Sequence, residues 1–128
     1  MIEKDNRPVN LNLLSIKLPI IGVASILHRV SAIAVFFCFP LLVWLLSESL
    51  YSVNTFNRLI TSIADNVFVK LGLFIFVAGF TYHVLAGTKK IFSEVSGIGE
   101  KLQSGKILVW IVFGLSFLIC ISFLVYIW

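Results

Sequence analysis

The sequence predicts an all-α integral membrane protein with three transmembrane helices. Hydrophobic residues make up 59% of the 128-residue chain, and charged residues only 12%. Mean hydropathy is +1.05, and a soluble domain of this length has too small an interior to hide that much apolar surface. The charges are also segregated. They leave apolar stretches that each match the roughly 20 residues needed to cross a hydrocarbon core.

Residues 1–21 read as a cytoplasmic tail. Glu3, Lys4, Asp5 and Arg7 give it a mixed-charge start, unlike a cleavable signal peptide. The segment Val9 to Leu18 mixes apolar residues with Asn10, Asn12 and Lys17 and ends at Pro19; it is placed along the inner surface. The first span covers 22–46, with no charged residue from Val30 to Leu46. Pro40 inside it removes one helix N–H and predicts a local kink. Phe56, Leu59, Ile60, Ile63 and Ala64 then repeat at helical spacing. They predict a short outer helix, capped by Asn54 or Thr55. The second span covers 67–86 and is interrupted only by Lys70 and His83. Lys70 points away from His83 and snorkels to the outer surface. Gly97, Gly99 and Gly105 mark an irregular inner link. The third span, 107–128, carries no charge. Cys38 and Cys120 fall within spans and have no metal-ligand spacing, so both are expected as free, packed thiols.

Basic residues orient the chain. Lys4, Arg7 and Lys17 precede the first span, and Lys89, Lys90, Lys101 and Lys106 lie between the second and third; Arg58 stands alone in the outer link. Cytoplasmic loops carry the excess of Lys and Arg. The tail and the second link are therefore expected on the cytoplasmic side, leaving the C-terminus outside. Aromatic residues agree: Trp44, Tyr51, Tyr126 and Trp128 mark the outer boundary, and Trp110 the inner one. The net charge of +4 is a topology signal, and nucleic acid is not an expected partner.

Ionisable groups inside spans usually mark function. Both histidines of the chain, His28 and His83, fall at the inner ends of spans. His83 lies roughly 9 Å deeper than Lys89, at about 1.5 Å per residue. Gly72, Phe76, Gly79, His83, Ala86 and Gly87 share one helical face within about 80°. A histidine in a groove of small residues suits a flat, bulky ligand. Such faces also serve plain helix packing. Ser25, His28, Arg29 and Ala32 share a face of the first span within about 100°. A haem explains the set best: imidazole is an axial iron ligand, and propionates want cationic donors. His83 would hold the iron, and His28 and Arg29 the propionates. Ser25 and Arg29 also suit a quinone carbonyl. Plainer readings exist, with Arg29 snorkelling to headgroups and His83 bonding between helices. A transmembrane proton relay is disfavoured, since Glu48 and Asp65 lie near the outer surface only.

Three segments carry a resemblance to a known family. They are Arg7-Pro8-Val9-Asn10-Leu11, Ser25-Ile26-Leu27-His28-Arg29-Val30-Ser31, and Tyr82-His83-Val84 with Gly87. With them the chain resembles, over nearly its whole length, the cytochrome b anchor subunits of bacterial succinate dehydrogenase. The resemblance implies one half of a heterodimeric anchor bundle. It implies a complex with a flavoprotein, an iron–sulfur protein and a second small anchor. It further implies haem b between the two anchors, with His83 as an axial iron ligand and His28 and Arg29 at the propionates. Ser25 and Arg29 would line a ubiquinone-reduction site fed with electrons by the iron–sulfur subunit. Succinate oxidation would occur on the flavoprotein, so this subunit is not catalytic alone. Ala32 stands where the family often has glycine. Lys89, Lys90 and Glu94 stand where it often has Arg-His and Asp, and no role is carried over to them. The rival readings are a fumarate reductase anchor and a haem-free structural module.

Overall fold

The computed structural model describes residues 18–99 and 101–128. The expectations for the tail up to Lys17, including the Arg7–Leu11 segment, lie outside the described residues. Four helices follow: α1 (Ile20–Tyr51), α2 (Val53–Asp65), α3 (Val67–Ser96) and α4 (Leu102–Ile127). Three of them, α1, α3 and α4, are long and apolar enough to cross a membrane. The protein is thus an all-helical, multi-pass membrane protein.

Each helix runs beyond its apolar stretch. α1 spans 32 residues, about 48 Å at 1.5 Å per residue, against a hydrocarbon core of about 30 Å. It passes through Pro40 as one assigned helix. It stops at Ser52, whose extended backbone (φ −163°, ψ 162°) breaks the helix. Ser52 also caps α2, its Oγ accepting from Thr55 N–H at 3.1 Å. The expected cap at Asn54 or Thr55 is therefore corrected. Both residues already lie inside α2, and the cap must be the last non-helical residue. Asn66 repeats the device for α3, its Oδ1 accepting from Phe68 N–H at 2.9 Å and Val69 N–H at 3.4 Å.

α3 continues ten residues beyond Ala86, to Ser96. Gly97 ends it in the left-handed region (φ 68°) and donates its N–H to Ser93 O at 3.0 Å, a helix stop that glycine makes without Cβ strain. The irregular link is correspondingly short. Gly105, expected within it, is instead a buried residue of α4. The link folds back so closely that a Cβ on Gly105 would stand 2.8 Å from Gly99 O and 3.0 Å from Ile21 Cδ1. That close approach is what the glycine provides.

α3 packs antiparallel to α1. His83 meets His28, Gly79 faces Ser31, Ala34 and Val35, and Gly72 faces Leu41. The small-residue stripe of α3 is therefore filled by α1, and it is not the open groove the sequence suggested. Small side chains let two helices approach closely where the hydrophobic effect gives no drive. α4 lies antiparallel to α3 on another side, with Tyr82 stacked on Phe113 at 5.7 Å and Lys70 Nζ 5.3 Å from the Trp128 ring centroid. Lys70 thus ties the start of α3 to the end of α4 through a cation–π contact.

The apolar interior is thin. Leu45, Leu59, Val109 and Val112 are the buried apolar residues, while Phe36 and Phe37 are 73% and 74% exposed. Most apolar surface therefore faces outward, as lipid or other membrane chains require. Along α2, Leu59 turns inward and Phe56 and Ile60 stay exposed. Cys38 and Cys120 are free and partly buried.

Candidate functional site

The N-terminal part of α1 and the second half of α3 bring both histidines together. The His28 and His83 rings stack with centroids 4.3 Å apart and planes 10° from parallel. His83 Nδ1 lies 3.2 Å from the His28 carbonyl oxygen and 3.2 Å from Ser31 Oγ. Ser31 Oγ donates to that same carbonyl at 2.7 Å. The antiparallel register produces this meeting: Tyr82, beside His83, donates its hydroxyl to Ala24 O at 2.9 Å one turn before His28.

On the α4 side a cavity of about 270 Å³ opens between the three long helices, with Ser25, His28, Arg29, Tyr82, Lys89 and Lys90 among its lining residues. Val109 and Val112 of α4 and Ile21 of α1 supply apolar wall. Among the described residues its lining holds three cationic side chains and no carboxylate. Glu94, the nearest acid in sequence, pairs with Lys90 at 4.0 Å, but both side chains are about two-thirds exposed. Such an exposed pair contributes little. The cavity therefore offers hydroxyl, guanidinium and ammonium donors to a ligand that accepts, such as a carbonyl or an anion.

His28 links the two halves. Its ring covers one face of His83 and also lines the cavity. Its Nε2 is buried with no hydrogen-bond partner among the described residues. That nitrogen sits against α3, where a Cβ added at Gly87 would stand 3.5 Å from it.

The expected site residues thus fall into two adjoining groups. Ser25, His28 and Arg29 stand together on the cavity wall. His83 does not line the cavity and lies behind His28. Ser25 and Arg29 are exposed, and both histidines are partly buried. The donor set fits an iron porphyrin. His83 has Nδ1 engaged by α1, so Nε2 is the ring nitrogen that would hold an iron, and cationic side chains that could take acid groups line the adjoining cavity. Sequence reasoning missed Ser31, Tyr82, Lys89 and Lys90 as parts of the site. The signal for Ser31 was its position three residues after His28, on the same helical face. For the lysines it was the continuation of α3 past Ala86, which keeps them in phase with the packed face.

Comparison with known proteins follows the same lines. A family model described as the succinate dehydrogenase/fumarate reductase transmembrane subunit matches residues 3–123. The chain is 32% identical over 122 residues to the succinate dehydrogenase cytochrome b556 subunit of Coxiella burnetii, covering 95% of this chain and 97% of that protein. It is 30% identical over 115 residues to the subunits of the same name from Rickettsia prowazekii and Rickettsia typhi, covering 90% of this chain and 88% of each.

Proposed function

We propose a role for this chain from one premise: it belongs to the succinate dehydrogenase/fumarate reductase transmembrane-subunit family. It anchors a succinate dehydrogenase in the bacterial inner membrane, with the N-terminus cytoplasmic. Its partners are a flavoprotein, an iron–sulfur protein and a second small anchor. Haem b would be held jointly with the second anchor, His83 holding the iron and His28 and Arg29 the propionates. Ubiquinone is reduced at Ser25 and Arg29, on electrons from the iron–sulfur subunit.

The observation that carries this reading is His28, whose ring stacks on His83 and which lines the same cavity as Ser25, Arg29, Lys89 and Lys90. In this reading, haem b supplies one-electron storage next to the quinone site. The chain supplies position and electrostatics. His83 holds the iron through Nε2. Arg29 donates to a quinone oxygen and stabilises charge as it builds there. Ser25 donates to a carbonyl oxygen and orients the ring. The relatives named as cytochrome b556 subunits support the haem assignment.

The test is a reduced-minus-oxidised spectrum of membranes holding the assembled complex. A b-type signal present in the wild type and lost in an assembled His83→Ala complex is expected. A wild-type complex without iron porphyrin would favour the haem-free module, and an undiminished signal in His83→Ala would remove His83 from the iron.

A further inference from the structure

Ser31 is buried at 7% exposure and has no part in the roles above. Serines in membrane helices commonly bond back to a carbonyl three or four residues earlier. Ser49, Ser96, Ser104 and Ser122 do so here, all in exposed positions. Ser31 also bonds back, to His28 O. Unlike them, its oxygen meets a side chain of another helix, His83 Nδ1 at 3.2 Å.

The proton positions follow from the partners. The single Ser31 hydroxyl proton goes to the His28 carbonyl. His83 Nδ1 lies 3.2 Å from that same carbonyl, and a carbonyl oxygen only accepts. Nδ1 therefore carries a proton and donates into the carbonyl–hydroxyl pair. The lone pair of the neutral ring is then on Nε2. The His28 ring, 10° from parallel, fixes the plane. One turn of α1 thus sets both the tautomer and the rotation of His83.

We propose that Ser31 is a positioning residue for haem ligation. With the His28 carbonyl it holds His83 as the Nδ1–H tautomer, presents Nε2 to iron, and raises the electron-donating strength of the ring. The inference rests on the reading of His83 as the axial ligand. Outer partners of metal-bound histidines orient the ring and raise its basicity, and their loss costs about 10- to 100-fold in affinity.

The test uses the assembled complex carrying Ser31→Ala or Ser31→Thr. Ser31→Ala is expected to keep a b-type spectrum but to release haem to an excess of apomyoglobin about 10-fold faster. Its midpoint potential rises, because a weaker donor favours the ferric state less. A tenfold loss of that preference is about 59 mV for one electron. The low-spin ferric EPR signal shifts as the ring loses its fixed plane. Ser31→Thr, which keeps the hydroxyl, restores all three. Should Ser31→Ala not assemble, Ser31→Cys carries the same test with a weaker acceptor of similar size. Unchanged potential, EPR signal and release in the substituted complex overturn the inference, as does a failure of Thr to restore them. If His83→Ala still loses its haem in that case, the ligand assignment survives. A b-type signal that persists in His83→Ala ends both.

Discussion

Arg29→Leu separates the quinone site from the rest of the complex. The substitution keeps an apolar stem on α1 and removes the only guanidinium lining the cavity among the described residues. A hydrogen bond to a charged group contributes about 1.5–3 kcal/mol, and about 1.4 kcal/mol is tenfold in rate. Two features of the structure favour the lower figure. Arg29 is exposed in the isolated chain, so no packing among the described residues desolvates its charge. Lys89 and Lys90 line the same cavity and maintain a positive field. The expected loss is therefore roughly tenfold in kcat/KM for ubiquinone reduction. Arg29→Lys should fall between wild type and Arg29→Leu, because lysine keeps the charge but not the planar fork. The assay compares electron transfer to a short-chain ubiquinone with transfer to a dye that draws electrons from the soluble subunits. Succinate–dye activity should be unchanged, and that activity also checks assembly. Equal quinone activity in wild type and Arg29→Leu would refute the placement of Arg29. An equal fall in both activities would show that the residue holds the complex together instead.

Two structural predictions concern packing and capping. Gly105→Ala puts a Cβ 2.8 Å from a backbone oxygen and should destabilise the assembled complex by about 1–3 kcal/mol. Gly114→Ala, where a Cβ meets nothing within 4 Å, should be neutral or mildly stabilising, and thermal inactivation in detergent ranks the two. Asn66→Ala removes the acceptor that binds Phe68 and Val69 N–H at the start of α3. It should cost about 1 kcal/mol, read as a lower inactivation temperature with an unchanged haem spectrum.

The three long helices were legible because their cause is compositional: apolar runs of membrane length leave the backbone no alternative but internal hydrogen bonding. The short α2 was legible from the recurrence of Phe56, Leu59, Ile60 and Ile63. Its cap was not, because Ser52, Asn54 and Thr55 are all acceptable capping residues and only the backbone decides among them. Gly105 was misplaced for a related reason. A glycine cluster reads as loop, yet here one member serves close packing inside a helix. The proximity of Ser25, His28, Arg29 and His83 was legible from two antiparallel spans and helical rise. Their division between a cavity wall and a stacked pair was not. It depends on the register of α1 against α3, which Gly79 and Gly72 set through contacts that no local pattern encodes.

That register also bears on how the site is held. The buried apolar residues Leu45, Val109 and Val112 lie along α1 and α4, while the spanning window of α3 has none buried. The helix that carries His83 is therefore anchored mainly by small-residue contacts to α1 and by the Tyr82–Phe113 and Lys70–Trp128 contacts to α4. Individually these are modest. Aromatic and cation–π contacts contribute about 0.5–1.5 kcal/mol each. A few such contacts leave α3 with little margin to hold an imidazole to the tolerance an iron bond demands. In the proposed assembly, a second anchor covering the outward apolar surface of α1 and α3 would add packing on the open side of the same two helices. Order at the histidine pair and assembly with the partner are then coupled. In the proposed assembly a haem bound to both chains would stabilise it by mass action, so haem and partner anchor would each favour retention of the other.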